Sequence, residues 1–263
     1  MTGTLRVGTV PFLVARPLVA GLDDAPDVAL TVAPPSDLAR GLLAGELDVA
    51  LASSVLHVAP PHLPLWREGP VIACDGPVRS VLLLLAPGVA SPREVRRWLP
   101  DPASRTANAL TELLLREAWQ AESVRLPPPS RPGEAGPEAA AAAGADAAVL
   151  IGDAALRAPA EFPEWTVVDL GLAWKDLTAL PFVFAGWLGP PGSDPSRHAA
   201  VLAEAADRGL RRRRELAEEA ARTGGHALGR SFLVDYLTRD VRYRLSPERL
   251  EAALAAFAGL VPV

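Results

Sequence analysis

Two apolar stretches constrain this chain more than anything else in it. Val78–Leu85 follows the turn residues Asp75-Gly76-Pro77, is interrupted only by Arg79 and Ser80, and stops at Pro87-Gly88. Leu180–Leu188, LPFVFAGWL, follows Thr178 and stops at Gly189-Pro190-Pro191-Gly192. An almost unbroken apolar run between turn signals predicts a strand buried on both faces, as in a parallel sheet. Roughly a hundred residues of α/β pattern lie between the two runs. Two buried strands bracketing an inserted segment predict a two-lobed α/β protein joined by a double hinge. Residues 1–82 and 184–263 would form one discontinuous lobe, and 83–183 the other. Ser80 stands out within the first run. A hydroxyl there must find a partner, which is a backbone group, a water or a ligand held between the lobes.

The composition fits a globular chain with a real core, since 49% of its 263 residues are hydrophobic and 22% charged. A net charge of -5 leaves no electrostatic footprint for nucleic acid. The one dense basic run, Arg211–Arg214, sits beside Glu215, Glu218 and Glu219 and reads as a solvated, ion-paired helix face. A single cysteine, Cys74, excludes an internal disulfide and a cysteine metal cluster, and its place at a strand end suits a small core residue. Met1-Thr2-Gly3-Thr4 runs directly into strand pattern with no apolar leader, and no run approaches membrane-spanning length. The expectation is a cytoplasmic protein with no membrane or nucleic-acid partner.

Strands are expected over Leu5–Val10, Val28–Val32, Asp48–Ala52, Val95–Leu99, Ala147–Ile151 and Thr166–Leu170. Helices are expected after Pro34-Pro35 with Ser36 as cap, from Ser104 or Thr106 to about Trp119, and over Glu138–Ala143 and Leu172–Leu177. A long helix should run from Asp194 or Ser196 to Arg222, stopped by Gly224-Gly225. Two more should cover Gly229–Val241 and the segment from Ser246, which puts Leu250, Leu254 and Phe257 on one face.

No Gly-x-Gly-x-x-Gly, phosphate-loop, His-Glu-x-x-His or Gly-x-Ser-x-Gly motif occurs, so nucleotide, metal and serine-hydrolase chemistry have no support. His57 and His62 lack ligand partners at useful spacing. What remains is hydroxyls at element ends. Ser104-Arg105-Thr106 at a helix start offers free N–H groups, two hydroxyls and a guanidinium, which is either a carboxylate site or an ordinary cap. Ser53-Ser54 ends one strand and opens a turn in the same way. Asp153, just past Ala147–Ile151, is a helix cap or a cleft carboxylate. Asp75 reads as a turn residue, and Arg16 is exposed or meets an anion. In open α/β sheets ligands sit beyond the carboxyl ends of strands, where Ser53, Ser54 and Asp153 fall.

Several stretches together resemble the chorismate dehydratase family of the futalosine route to menaquinone. They are GELDVALASSV (Gly45–Val55), CDGPVRSVL (Cys74–Leu82), SRTANALTELLL (Ser104–Leu115), AAVLIGDAAL (Ala147–Leu156) and VVDLGLAWKDLTALPFVFAGW (Val167–Trp187). The match runs in order from about Val7 to Leu188. It implies a periplasmic-binding-protein-like fold of the second type, used by a cytoplasmic enzyme with no cofactor. It implies conversion of chorismate to 3-[(1-carboxyvinyl)oxy]benzoate and water. It makes Ser80 a cleft serine and places Ser53, Ser54, Ser104, Arg105, Thr106 and Asp153 in ligand-facing motifs, with Ser80 and Asp153 nearest the chemistry. The first loop departs from the family, which reads aromatic-Leu-Asn where this chain has Phe12-Leu13-Val14. Two alternatives stand beside this one: a solute-binding or sensor protein for a small carboxylate, and the sister dihydroxynaphthoate synthase.

Overall fold

The computed structural model describes residues 3–131, 134–223 and 228–261. Its strands in chain order are β1 (Leu5–Thr9), β2 (Val28–Val32), β3 (Val49–Ser53), β4 (Ile72–Cys74), β5 (Val81–Leu85), β6 (Arg97–Leu99), β7 (Val124–Arg125), β8 (Ala147–Ile151), β9 (Thr166–Asp169), β10 (Phe182–Leu188) and β11 (Val241–Arg242). The helices are α1 (Pro35–Leu43), α2 (Val55–Val58), α3 (Arg105–Glu117), α4 (Pro137–Ala143), α5 (Gly152–Glu161), α6 (Leu170–Thr178), α7 (Ala199–Arg211), α8 (Arg213–Thr223), α9 (Arg230–Asp235) and α10 (Pro247–Leu260).

The strands form two sheets. One has six strands in the order β11-β4-β10-β3-β1-β2, and the other has five in the order β7-β6-β8-β5-β9. Every strand of the second sheet lies between β4 and β10 in sequence, so the chain crosses once outward, over 75–80, and once back, over 179–181. The boundaries expected at 82/83 and 183/184 fall inside β5 and β10. All of β5 belongs to the second sheet and all of β10 to the first.

Both diagnostic strands are buried as expected, but not in parallel surroundings. β5 pairs antiparallel with β8 and β9, and β10 pairs antiparallel with β3 and β4. Helices cover both faces of these sheets. A strand inside such a sandwich is apolar on both sides whichever way its neighbours run. In β5, Leu83 and Leu85 join the larger core, while Leu82 and Leu84 face a second cluster with Leu150 and Trp165.

Other expectations need correction. Ser36 is not a cap: Pro34 holds that position and Pro35 is the first helical residue of α1. The long C-terminal helix is broken at Arg212 into α7 and α8, after a short 3-10 turn over Pro195–His198. Its expected stop, Gly224-Gly225, lies outside the described residues. In the basic run, Arg212 pairs with Glu215 and Arg213 donates to the Leu210 carbonyl. The helix expected over Gly229–Val241 is α9 followed by a π-helical turn, Tyr236–Asp240. Ser246 caps α10, whose Leu250, Leu254 and Phe257 are all buried, as expected.

Candidate functional site

A cleft opens between the two sheets where strand ends from each side meet. From the first sheet come the loop after β1 with Phe12 and Val14, the last residue of β3, Ser53, and Phe184-Ala185 of β10. The other sheet supplies Ser80 and Val81 at the start of β5, Ser104 before α3, and Ile151-Gly152 where β8 passes into α5. The space within it is about 70 Å³, room for a few waters. Among the described residues no Lys, Arg, His, Asp or Glu side chain lines it. Its polar groups are the three serines, all buried, and the main chain.

The residues singled out by sequence divide in two. Ser53, Ser80, Ser104 and Val14 line the cleft. Ser54, Arg105, Thr106 and Asp153 lie outside its lining. Ser54 Oγ donates to the Val183 carbonyl at 2.6 Å, tying β3's end to β10. Thr106 Oγ1 accepts from Val55 N–H at 3.2 Å, a bond between the lobes. Arg105 borders a separate surface groove with Glu112 and Arg125. Asp153 lies in the first turn of α5, capped by Ile151 rather than by the aspartate. Its carboxylate accepts from Leu13 N–H at 3.1 Å and borders a neighbouring groove with Asp101 and Arg157. Ser104 is the cap of α3 as expected, with Oγ accepting from Ala107 N–H at 3.0 Å. Ser80 sits in the crossover just before β5 rather than inside a strand.

Several residues that hold the site escaped sequence reasoning. Asp169, at the end of β9, accepts from Val78 and Arg79 in the outward crossover and from Gly171 and Leu172 at the start of α6. An acid before an apolar helix was the signal for it. Asp75 is more than a turn residue. It meets Lys175 and Arg249, each at 2.7 Å, and these contacts hold its carboxyl below the usual carboxylate range. Gly152 adopts φ +63°, and a Cβ there would lie 2.5 Å from the Phe12 ring, so only glycine lets the two lobes approach at this point. Tyr243 donates from its buried hydroxyl to the Val14 carbonyl at 2.9 Å. Cys74 is buried, and burial pushes its thiol up to about 12, so it is a core residue as expected. His57 is a structural residue, with Nδ1 2.8 Å from the Leu63 carbonyl and its pKa lowered by burial. Arg16 pairs with Glu219 at 3.0 Å, away from the cleft. Among the described residues no three His, Cys, Asp or Glu side chains gather as metal ligands, and no helix is long and apolar enough to cross a membrane.

Comparison with known proteins places this cleft in context. A family model described as menaquinone biosynthesis matches residues 5–261. The chain belongs to that family. A chorismate dehydratase from Thermus thermophilus is 34% identical over 245 residues, covering 85% of this chain and 83% of the relative. Among solved structures, protein AF1704 from Archaeoglobus fulgidus superposes with a TM-score of 0.70 at 16% identity, covering 97% of this chain and 96% of the other. The alkanesulfonate-binding protein SsuA from Xanthomonas axonopodis pv. citri, bound to MOPS, gives 0.61 at 17% identity, covering 98% and 94%. This member of the menaquinone-biosynthesis family therefore has the two-lobed periplasmic-binding-protein fold, with its cleft between the lobes.

Proposed function

We propose that this protein is a chorismate dehydratase: a cytoplasmic carbon–oxygen lyase that converts chorismate to 3-[(1-carboxyvinyl)oxy]benzoate and water without a cofactor. The observation that carries the reading is the match of a relative of that name to 85% of this chain. Residues 75–80 and 179–181 are taken as the hinge, and Ser53, Ser80, Ser104 and Val14 as the side chains nearest the substrate. Chorismate is a dianion, and the cleft lining offers it no cation. Its carboxylates would be held by serine hydroxyls and by backbone N–H groups at the start of α3.

The reaction removes a ring hydroxyl and a hydrogen from the neighbouring carbon, which bears the ether oxygen. The electron pair of that C–H bond becomes the new ring double bond, hydroxide leaves, and the proton completes the water. The ring becomes aromatic, which supplies the driving force. A protein catalysing this needs to orient the substrate, exclude bulk water and support the departing oxygen, more than to supply a strong nucleophile. No side-chain base lines the cleft, and the Asp153 carboxylate is engaged with Leu13 N–H. That leaves the substrate's side-chain carboxylate, attached through the ether to the reacting carbon, to receive the proton.

The test is to incubate purified protein with chorismate, with and without a metal chelator, and to follow the aromatic product by chromatography and absorbance. Equal product formation in both supports the reading. Unchanged chorismate bound tightly by folded protein would replace it with a binding protein for small carboxylates.

A further inference from the structure

Behind Ser80, away from the cleft, lies a buried tyrosine that no step above uses. Tyr236 has no exposed surface, and its hydroxyl makes no hydrogen bond among the described residues. Buried hydroxyls without partners are rare enough to need a reason. This one begins the π-helical turn Tyr236–Asp240, an insertion that recurs at functional sites because it redirects side chains. The segment around it grips the outward crossover. The Arg79 guanidinium lies over the Phe232 ring at 5.1 Å and meets Asp240 at 2.8 Å. Phe232 and Asp240 stand four residues either side of Tyr236, and between them its hydroxyl faces Ser80. Ser80 lines the cleft and is itself buried. Burial, with Asp153 and Asp240 nearby, raises the Tyr236 pKa, so the phenol stays protonated and neutral. It is not among the residues that line the cleft, whereas Ser80 is.

We propose that Tyr236 is a positioning residue: its O–H donates to Ser80 Oγ, which leaves the Ser80 hydrogen directed into the cleft as a donor to the bound ligand. The two hydroxyls are arranged in series, and only the second touches the ligand. A small closing movement of the crossover, which Arg79 already anchors to this segment, brings them within bonding distance. Without Tyr236, Ser80 is free to rotate its hydrogen toward the protein and to offer the ligand only a lone pair, which an anion rejects. The inference rests on the cleft being the chorismate site.

Tyr236→Phe removes one oxygen and keeps the ring, so the core packing persists. Its kcat/KM for chorismate should fall about tenfold, the loss expected when one directed hydrogen bond is removed. Ser80→Ala should fall at least as far, and Tyr236→Phe added to Ser80→Ala should change nothing more. Wild-type kinetics in folded Tyr236→Phe, or two losses that multiply in the double variant, would overturn the proposal. A second readout needs no substitution at the tyrosine. The chain has two tyrosines, so 3-fluorotyrosine labelling gives two fluorine signals. The Tyr236 signal should move on adding chorismate to the wild type and stay still in Ser80→Ala. A shift of equal size in both proteins would show that the phenol does not communicate through Ser80. If the wild type turns over no chorismate, the dehydratase reading fails. The same four proteins then report the coupling through their chorismate dissociation constants from calorimetry.

Discussion

Val14 is where the chain's chemistry can be altered most simply. Its side chain lines the cleft, and its carbonyl is fixed by the buried Tyr243 hydroxyl at 2.9 Å, so the backbone is held in place whatever side chain it carries. The family resemblance expects an asparagine here, whose amide could donate to a carboxylate or hold a departing hydroxyl. Valine does neither. Arg16 does not take over, because it turns outward to Glu219. If the donor's place is simply vacant, Val14→Asn restores one hydrogen bond worth about 1–3 kcal/mol, a roughly ten- to hundredfold gain in kcat/KM. Steady-state kinetics beside a thermal melt decides this. A flat or lower kcat/KM in folded protein would mean that the cleft has been rebuilt around valine, with Ser53 and Ser80 as its working donors. In the sequence Val14 stands out only against the pattern of the family that the chain resembles, since a valine beside leucine otherwise reads as core.

Asp101 shows how one carboxylate can hold two site-bearing elements together. It follows β6, and its oxygens accept from Ala103 N–H at 2.8 Å and from Ile151 N–H at 3.2 Å, joining the loop that carries Ser104 to the turn that carries Gly152. Burial pushes its pKa up to about 6 against the pull of those two N–H groups. A raised carboxyl pKa means that the folded state binds the proton more tightly than the unfolded chain. The stabilisation is present below about pH 4 and is lost as pH rises through 6, an effect of roughly 3 kcal/mol. Asp101→Asn cannot titrate, so its stability relative to wild type should improve by roughly that amount between pH 4 and 7. Urea denaturation of both proteins across that range measures it, and parallel curves would show that Asp101 titrates as an ordinary surface acid. The strands on either side were legible, because short apolar runs end in turn residues. Their direction was not, since a strand covered on both faces looks the same in either orientation. The start of helix α5 was legible only as one reading of Asp153, a helix cap or a cleft carboxylate, because Gly152-Asp153 also reads as a turn, whereas the glycine's left-handed φ is what lets the helix start at Gly152, before the aspartate. The break at Arg212 has no glycine or proline to announce it. Tyr236 and Tyr243 escaped because an aromatic at helical spacing reads as packing, and only the fold brings their hydroxyls to the site.

At the scale of the whole molecule, the contacts that join the two lobes bear on how a ligand enters the cleft between them. The cleft's space of about 70 Å³ lies well below the roughly 300 Å³ at which sites for small organic ligands begin. On the proposed reading, a ring with two carboxylates enters when the lobes part at 75–80 and 179–181, the segments taken as the hinge. Asp169 and Asp75 tie the hinge strands to α6 and α10 but do not bridge the cleft. Across it run Leu13 N–H to Asp153 and Val55 N–H to Thr106 Oγ1, with Phe12 seated on Gly152. Each such hydrogen bond contributes about 0.5–1.5 kcal/mol net, so the closed state is favoured by an amount that a ligand's contacts with both lobes can exceed. Thr106→Val keeps the side chain's shape and removes the acceptor. In the closed form it leaves the Val55 N–H buried without a partner, while in the open form water satisfies that group. The variant should therefore shift toward the open form by about 1–3 kcal/mol, some five- to 150-fold. Small-angle scattering should show a larger radius of gyration than wild type without ligand, and convergence of the two at saturating chorismate. The kcat/KM should fall about tenfold while the melting temperature moves only a few degrees, because one hydrogen bond is lost beside a hydrophobic core that runs through both lobes. An unchanged radius of gyration with unchanged kcat/KM would show that the Val55–Thr106 bond does not hold the lobes together. Closure would then rest on the Phe12–Gly152 contact, the Asp153 bond and the Arg116 bond to the Leu260 carbonyl, and Asp153→Ala would be the variant to scatter next.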